Sequence, residues 1–597
     1  MIHNQDSLAG LLTEQSENLT SKTLYMEKVN GEYKSYTYSE IQKDVNNLAK
    51  SLIKFGLKQY DKIAILSANC VNWAVTDYAA LSIGLIDVPV YPTLLANTIE
   101  FILENSESKL VFVQDSIQLS KVLKIDLTKM KIEKIIVMNN EHSSESDMVI
   151  NFSDFLELGK GVDQEEINKC LAKTTRDDVA TIIYTSGTTG MPKGVMLTHG
   201  NILSNVEGAV AVVPNSDDHV FLSFLPLSHI FERMFGHYMA MKFGATIAYA
   251  EGMETVAANM GEIKPTVMAS VPRLYEKIYG KVIDSVEQGS PLKQKIFYWA
   301  VGVGKEVANN YTSVGKKPSG FLAFKYSLAN KLVFKKLQER VGGRLQYFVS
   351  GGGALMAEIA EFFTSAGLLI LEGYGLTETS PVITVNRPDH FKFGFVGPTI
   401  PGVEMKIAED GEILTRGPHV MKGYYKNEKA TKEVMTDDGW FLTGDIGYID
   451  NDGFLKITDR KKNIIVTSGG KNIAPLPIEG ALVMSKYIEQ SLMIGDARKF
   501  CSIILTPCEE NLALYAKANN IRYSNLTELV NHEKIQSLIM SEIEKVNEKL
   551  ARYETIKKFI LVDRLFSIES GEMTPKLSIK KKIVLKNLAS EIEELYN

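Results

Sequence analysis

Hydrophobic and polar positions follow two periods along the chain. Between residues 36 and 113, stretches with helical spacing alternate with short apolar runs, as layered α/β proteins require. Thr37 and Glu40 have the spacing of a capping box, so a helix is expected to begin there and to end near Gly56. Its apolar face is formed by Ile41, Val45, Leu48, Leu52 and Ile53.

Short runs rich in β-branched and aliphatic residues have the character of strands buried in a parallel sheet. They span residues 62–66, 110–113 and 135–138. The same alternation of strand and helix returns after Ala180, which predicts a large N-terminal α/β region with layered sheets. Near residue 460, glycine-rich loops give way to a charged run and then to a smaller α+β stretch. We therefore predict two domains, residues 1–461 and residues 462–597.

Composition narrows the class of protein. A chain of 597 residues exceeds the size of a single core, and 45% hydrophobic with 23% charged residues is ordinary for a soluble enzyme. The net charge of -6 argues against a nucleic-acid partner. Four scattered cysteines favour a reducing, cytoplasmic compartment. The N-terminus lacks the pattern of a signal peptide, and no run approaches the roughly 20 apolar residues of a membrane-spanning helix.

The strongest local signal is the loop YTSGTTGMPKG at residues 184–194, which follows a strand-like run. Its glycines allow sharp turns that bring backbone amides toward an anion, and its hydroxyls and one ammonium add further donors. The set suits a polyphosphate, with a plain surface turn as the alternative. It is not a P-loop, because Lys193 is followed by Gly194. The candidate phosphate-binding residues are Thr185, Ser186, Gly187, Thr188, Thr189, Gly190 and Lys193.

This loop resembles the signature of the adenylate-forming (AMP-binding) superfamily, and further motifs follow in that family's order. They are SGGGA at 350–354, EGYGLTET at 372–379, WFLTGDIG at 440–447 and DRKKN at 459–463. The resemblance covers essentially the whole chain. Other segments are similar to the long-chain fatty acyl-CoA synthetase branch of the family. They are VPVYPT at 88–93, LPLSHIFER at 225–233, residues 264–278 and an insertion in the 290s to 340s.

The resemblance implies an ATP- and Mg²⁺-dependent ligase that converts a long-chain fatty acid to acyl-AMP and then passes the acyl group to coenzyme A. Acyl carrier protein is the alternative acceptor, because it presents the same thiol. The resemblance also implies a small C-terminal domain that is mobile, with Lys462 in the hinge position. The loop at residues 467–472 would then serve thiol transfer, or be a plain surface turn.

The resemblance assigns nucleotide contacts to matching residues. Tyr374 would stack on adenine, beside Gly351, Gly352, Gly353, Gly373 and Gly375. Asp445 would accept hydrogen bonds from both ribose hydroxyls, and Arg460 would donate on the ribose or phosphate side. Glu378 would hold Mg²⁺, since that ion usually takes one or two carboxylates plus substrate phosphates. Lys193, Thr188 and Thr377 would act at the phosphates. The alternatives are a core tyrosine, structural turns and a solvated aspartate.

Two expected catalytic positions are less regular. His229 lies where the family has a residue near the acyl carboxylate that gates the pocket, although a packed histidine is the alternative. The family also carries a lysine near its C-terminus that serves adenylation, and the matching position here holds Ser578. Lys576 and Lys580 lie two residues to either side, and Lys580 is the candidate that we assign. A catalytically weakened acyl-adenylate binder is the alternative if neither lysine reaches.

A basic and aromatic segment lies between Lys293 and Arg340. It contains ten Lys or Arg residues against two acidic ones, Glu306 and Glu339. The interleaved aromatic residues are Phe297, Trp299, Phe321, Phe324 and Phe334. Such a surface predicts peripheral contact with an anionic bilayer, from which a fatty acid would be taken. A solvated helical face is the alternative.

Overall fold

The structure is a computed structural model. It describes residues 4–140, 146–185, 191–567, 569–574 and 579–597. The chain divides into two compact units. Unit 1 comprises Met1–Val271, Pro291–Lys406 and Leu414–Thr443. Unit 2 comprises Pro272–Ser290, Ile407–Ile413 and Gly444–Asn597. The limits that we assign to the two domains from the sequence stay a prediction.

Unit 1 contains a mainly parallel sheet of eight strands. Only the two edge strands run antiparallel to their neighbours. The spatial order is Val382–Val385, Leu369–Gly375, Tyr347–Ser350, Val267–Ser270, Val220–Ser223, Thr246–Tyr249, Thr23–Val29 and Glu32–Thr37. Most of the central strands are buried along their whole length, as parallel strands covered by helices on both faces require.

A second sheet of eight strands lies in the same unit. Its spatial order is Gly423–Tyr424, Lys193–Thr198, Val179–Thr185, Ile86–Val90, Lys62–Leu66, Leu110–Val113, Lys134–Val137 and Val149–Asn151. The predicted strands at 62–66 and 110–113 are confirmed, and the third begins and ends one residue earlier than the sequence indicates. The predicted α/β class with layered sheets is therefore confirmed.

The helix Tyr38–Phe55 shows how local signals set its limits. Thr37 Oγ1 accepts the N–H of Glu40, whose carboxylate accepts the N–H of Thr37, so the predicted capping box is present. The helix ends at Gly56, which takes a left-handed conformation with φ of 102°. Ile41, Val45, Leu48 and Leu52 are buried, as predicted, whereas Ile53 is half-buried.

Unit 1 contains further helices between its strands. The α-helices are Leu8–Asn18, Val71–Ser82, Ala96–Ser106, Ser116–Val122, Phe152–Glu157, Gln164–Leu171, His199–Val210, Ile230–Glu232, Ala240–Phe243, Val256–Ile263, Pro291–Asn310, Gly320–Ala329, Lys335–Arg340, Ala357–Ser365 and Glu428–Glu433. The 3₁₀ turns are Leu127–Lys129, Thr312–Val314 and Thr377–Thr379, and the π-helical stretches are Arg233–Met239 and Asn330–Phe334. Within the described residues, no helix combines the length and apolar character needed to cross a membrane.

A buried ionic cluster lies in the core of unit 1. The guanidinium of Arg233, at the start of a π-helical stretch, forms ion pairs with the carboxylates of Asp77 and Asp87. It also donates to Thr181 Oγ1 at 2.9 Å. All three charged side chains are fully buried, so loss of one partner would leave an uncompensated charge. The cluster therefore joins a helix and two strands to the segment that follows His229.

Unit 2 includes a small α+β region. Its three-stranded sheet has the order Ile488–Ile494, Cys501–Pro507 and Ile556–Leu561, and Ile465–Val466 pairs with Asn472–Ile473. The helices are Pro272–Glu287, Pro475–Val483, Glu509–Ala518, Leu526–Val530, Glu533–Asn547, Lys581–Asn587 and Ala589–Tyr596. The apolar face of Glu533–Asn547 carries Ile535, Ile539 and Ile543, and it packs into a hydrophobic core that belongs to unit 2. The remaining strands of the chain are Glu404–Ile407, Glu412–Arg416, Phe441–Ile449 and Leu455–Arg460, and within unit 2 residues 445–449 pair antiparallel with residues 455–460.

Candidate functional site

The predicted phosphate loop connects two antiparallel strands of unit 1. Val179–Thr185 pairs with Lys193–Thr198, and Thr185 lies directly opposite Lys193. Gly194 lies close to its neighbours across the strand pair: an added Cβ atom would be 2.8 Å from Ile182 Cγ2, so a larger residue here would require that side chain to move. Of the predicted loop residues, Ser186, Gly187, Thr188, Thr189 and Gly190 lie outside the described residues.

Lys193 and Glu378 both contact Tyr424, a residue that no sequence motif indicates. Tyr424 lies on the short strand next to Lys193–Thr198, opposite Val195. The Lys193 ammonium lies 4.8 Å from the centre of its ring, a cation–π distance. The Tyr424 hydroxyl donates to Glu378 Oε1 at 2.8 Å. Burial is the main cause that raises the pKa of Tyr424 well above its usual value, and the negative charge of Glu378 adds to it. The hydroxyl therefore keeps its proton.

The backbone around Glu378 is held in place by its neighbours. The carbonyl oxygen of Glu378 accepts the N–H of Met421 at 2.8 Å. Thr379 Oγ1 accepts the N–H of Leu376 at 2.9 Å, and Thr377 is buried. The Glu378 side chain is half-buried, and its Oε2 accepts no hydrogen bond from a described residue. One carboxylate oxygen is thus available to a cation, which suits an ion that is held mainly by substrate phosphates.

Two predicted adenine-binding segments lie side by side in unit 1. Ser350 pairs with Glu372 across parallel strands, so the turn Gly351 to Gly353 lies beside the segment Gly373 to Gly375. Gly352 has a φ of 77°, a conformation that favours glycine. Tyr374, between the two glycines of its strand, is half-buried and pairs with Thr384. The structure therefore brings together a bare backbone turn and an aromatic residue, as a base-binding site requires.

A buried carboxyl group precedes this tyrosine. Glu372 is 5% exposed, and its Oε1 accepts the N–H of Gly394 at 3.3 Å. Burial raises the pKa of Glu372 to about 8. The group is therefore largely protonated and uncharged at neutral pH. The sequence does not predict this buried carboxyl group, because a polar motif gives no indication of how deeply its acidic residue is buried.

His229 lies close to the same glycine turn. Its Nδ1 accepts the N–H of Phe231 at 3.1 Å, so the neutral ring carries its proton on Nε2. The Phe231 ring lies against Gly351: a Cβ atom added to Gly351 would be only 3.1 Å from Cε1 and Cζ of that ring. Asn69, which no sequence motif indicates, holds the loop that precedes His229: Asn69 Oδ1 accepts the N–H of Leu227 at 2.8 Å.

Asp445 and Arg460 form a pair within unit 2. They are directly opposite each other on two antiparallel strands, and Arg460 Nε lies 3.2 Å from Asp445 Oδ1. The Asp445 side chain is 5% exposed, whereas that of Arg460 is 61% exposed. A buried acceptor beside an exposed cation is an arrangement that can recognise hydroxyl and phosphate groups.

The predicted lysines of unit 2 differ in their surroundings. Lys462, in the predicted hinge position, is exposed. The adjacent Lys461 is also exposed and is paired with Asp410 at 2.6 Å and with Glu412 at 2.7 Å. Lys580 is half-buried at the start of the helix Lys581–Asn587, and its N–H donates to the carbonyl of Glu572 at 2.7 Å. The predicted alternatives Lys576 and Ser578 lie outside the described part of the chain.

Comparison with known proteins places the chain in a family. The model of the family described as AMP-binding enzyme matches residues 12–425, and that of the AMP-binding enzyme C-terminal domain matches residues 462–597. The chain belongs to the AMP-binding enzymes. Because the match runs through the phosphate loop and both predicted adenine-binding segments, the resemblance seen in the sequence is confirmed.

Relatives extend the likeness over the full length. Long-chain-fatty-acid–CoA ligase FadD15 of Mycobacterium bovis is 33% identical over 100% of this chain and 98% of its own. Long-chain-fatty-acid–CoA ligase ACSBG2 of Xenopus laevis is 31% identical over 95% and 81%. The crystal structure of ATP-bound MatB from Rhodopseudomonas palustris matches with a TM-score of 0.68 and 21% identity, over 98% of this chain and 99% of that one. The last likeness bears on the fold alone.

Proposed function

We propose that this protein is an AMP-forming long-chain fatty acid:CoA ligase. The observation that carries the proposal is the arrangement of Lys193 and Glu378 around Tyr424 in a chain that is similar over its full length to a long-chain-fatty-acid–CoA ligase. A cation and a carboxylate that both contact one tyrosine side chain suit a metal-bound polyphosphate.

The reaction has two halves. A carboxylate oxygen of the fatty acid attacks the α-phosphorus of ATP, the bond to the β-phosphate breaks, and pyrophosphate leaves. The sulfur of the acceptor thiol then attacks the acyl carbonyl carbon, and AMP leaves. Both reactants of the first half are anions, so neutralising and aligning them is the main task of the site. Lys193 serves that task at the phosphates.

Mg²⁺ is the proposed metal. Glu378 supports this assignment, because its Oε1 is occupied by the Tyr424 hydroxyl while its Oε2 accepts nothing from a described residue. A bound Mg²⁺ would offset negative charge that develops on the phosphate oxygens. Glu378 would hold the ion through one oxygen, and Thr377 and Thr188 would add hydroxyl contacts to the phosphates.

The nucleotide and acyl contacts follow the sequence predictions. In unit 1, Tyr374 stacks on adenine against the turn Gly351 to Gly353, and His229 lies near the acyl carboxylate. In unit 2, Asp445 accepts hydrogen bonds from the ribose hydroxyls, with Arg460 as donor. Burial of Asp445 supports this role, because a shielded acceptor gains more from each hydrogen bond than an exposed one.

The proposed adenylation lysine is Lys580, which can be separated from a merely structural residue. Lys580→Gln should slow palmitoyl-adenylate formation roughly 100-fold, because one charge at the transition state is lost. Thioester formation from synthetic palmitoyl-adenylate and coenzyme A should stay within about threefold of wild type. Lys582→Gln, which changes an exposed lysine in the helix that directly follows Lys580, is the matched control. Equal rates of adenylation in Lys580→Gln and wild type would contradict the assignment.

Product analysis tests the proposed acceptor. The protein is incubated with palmitate, ATP and Mg²⁺, and with either coenzyme A or acyl carrier protein bearing phosphopantetheine. We expect palmitoyl-CoA by mass spectrometry, at a rate at least tenfold above that of palmitoyl carrier protein. Product formed with the carrier protein alone would make it the acceptor. Absence of thioester with both acceptors would favour the weakened acyl-adenylate binder.

We also propose peripheral contact with an anionic membrane, through a surface that we call the apolar stripe. It consists of Phe321, Phe324, Leu328 and Leu332 on consecutive turns of the helical segment at 320–340. Phe321 is 71% exposed and Phe324 65%, and their rings are stacked with centroids 6.5 Å apart. By contrast, Phe297 and Phe334 of the same basic segment are buried.

Lysines flank the apolar stripe. Lys325 Nζ lies 4.6 Å from the centre of the Phe321 ring, and Lys331, Lys335 and Lys336 are exposed. Exposed aromatic rings among lysines suit the boundary between acyl chains and anionic headgroups. This surface gives a cytoplasmic enzyme access to fatty acid in the bilayer, and the cytoplasmic location is itself part of the proposal.

Vesicle sedimentation tests this contact. Phe321→Ser/Phe324→Ser should bind vesicles of phosphatidylglycerol and phosphatidylcholine about tenfold more weakly than wild type, because two rings no longer insert. Ile117→Ser, which removes a side chain that is 65% exposed on another helix, is the control and should bind as wild type does. Equal binding by the double variant and wild type, or no binding by wild type, would contradict the proposal.

A further inference from the structure

Tyr424 contacts both the predicted phosphate lysine and the predicted metal carboxylate. Its hydroxyl donates to Glu378 Oε1 at 2.8 Å, and the face of its ring lies 4.8 Å from Lys193 Nζ. We infer that Tyr424 is a positioning residue, which orients the Glu378 carboxylate toward a divalent cation and holds the Lys193 ammonium at the phosphates. This inference rests on the proposed function and deepens it.

The register of the sheet places the tyrosine there. Tyr424 is opposite Val195, and Lys193 lies two residues before Val195 on the same strand. Side chains two residues apart in a strand share a face, so the Tyr424 ring and the Lys193 side chain lie on the same face as diagonal neighbours. Residues 193 and 424 are far apart in sequence, and this pairing brings them together.

The backbone on both sides of Tyr424 is fixed. Its N–H donates to Thr431 Oγ1 at 2.9 Å, and the N–H of Tyr425 donates to the carbonyl of Gly194 at 2.7 Å. The N–H of Met421 donates to the carbonyl of Glu378 at 2.8 Å. The strand that carries the phenol is therefore tied both to the phosphate-loop strand and to the carboxylate turn, so its backbone cannot move independently of either.

Tyr424 also keeps the two opposite charges apart. Among the described ion pairs, none joins Lys193 to Glu378. A direct pair would occupy both groups and withdraw them from a metal-bound polyphosphate. With the ammonium on the ring face and one carboxylate oxygen on the hydroxyl, each group keeps bonding capacity for a ligand.

Calorimetric binding of ATP without fatty acid tests the inference, because no reaction occurs in that mixture. Tyr424→Phe removes the hydroxyl but keeps the ring. It should weaken binding of ATP in the presence of Mg²⁺ about tenfold, since the carboxylate loses one charge-assisted hydrogen bond. Binding of ATP in EDTA should stay within twofold of wild type, because Lys193 still lies over a ring. Tyr424→Leu removes the ring as well and should weaken both.

Tyr425→Phe is the matched control. The Tyr425 ring contacts Lys62 and Lys426, at 5.5 Å and 5.1 Å, rather than Lys193. This variant should bind ATP as wild type does under both conditions. The inference is overturned if Tyr424→Phe matches wild type with Mg²⁺, or if it loses the same factor with and without Mg²⁺. No ATP binding by wild type in either condition would overturn the proposed function itself, which separates the two failures.

Discussion

Replacing Gly375 by alanine would place a methyl group in space that backbone atoms of the neighbouring segment occupy. An added Cβ would lie 1.7 Å from the carbonyl oxygen of Pro381 and 3.1 Å from Val382 Cα. Real Cβ contacts stay above 3.0 Å, so the two backbone segments would have to separate by more than an ångström. Neither partner is a flexible side chain that could move aside. The strain therefore falls on the antiparallel pair that begins at Gly375 and Val382.

The neighbouring glycine provides a matched control. At Gly373, an added Cβ would meet Thr384 O and Val385 Cγ2 at 3.4 Å, which is ordinary contact. Overpacking against backbone costs about 3 kcal/mol, whereas an accommodated methyl costs less than about 1 kcal/mol. Gly375→Ala should thus destabilise unit 1 and displace Tyr374, while Gly373→Ala should preserve the fold.

Thermal unfolding followed by circular dichroism measures this difference. We expect the midpoint of Gly375→Ala to fall by about 5 °C or more, and that of Gly373→Ala by no more than about 2 °C. Binding of ATP to the Gly375→Ala variant should also weaken at a temperature where it remains folded. Equal midpoints for the two variants would show that the backbone at Gly375 accommodates a Cβ atom, contrary to the expected clash.

Three other substitutions test buried groups. Burial raises the pKa of Glu232 to about 8 from an ordinary 4.5, so the native state binds this proton more tightly and stability falls as pH rises between those values. Between pH 6 and 8, the free energy of unfolding of wild type, measured in urea, should fall by about 2 kcal/mol. That of Glu232→Gln should not show this fall. Asp445→Asn should raise KM for ATP about tenfold with a smaller change in kcat, measured by initial rates. Arg233→Met should lower the free energy of unfolding by about 3 to 5 kcal/mol, because it leaves Asp77 and Asp87 without their buried cation.

Periodic features of the fold could be predicted from the sequence. The capping box of Thr37 and Glu40 acts over three residues, so the helix limits follow from local chemistry alone. The strand at 62–66 is apolar along its length because both of its faces are covered. Glycines were harder to interpret, since the sequence does not show that Gly375 abuts a backbone carbonyl while Gly373 does not.

The centre of the site depends on pairings that no local pattern encodes. Tyr424 reaches Lys193 only because a two-residue strand adds to the edge of a sheet more than 200 residues away in sequence. Asn69 fixes the loop before His229 in the same long-range way. The low exposure of Glu372 depends on strand order. Motif order was therefore informative about the class of chemistry, but not about which residues hold the reacting groups in place.

Palmitate-dependent exchange of radioactive pyrophosphate into ATP shows whether the protein forms an acyl-adenylate, because the exchange needs no acceptor thiol. We predict exchange that requires palmitate, ATP and Mg²⁺ together, proceeds in the absence of coenzyme A, and falls at least tenfold in Lys193→Met. Absence of exchange with every saturated fatty acid from octanoate to stearate would contradict the account.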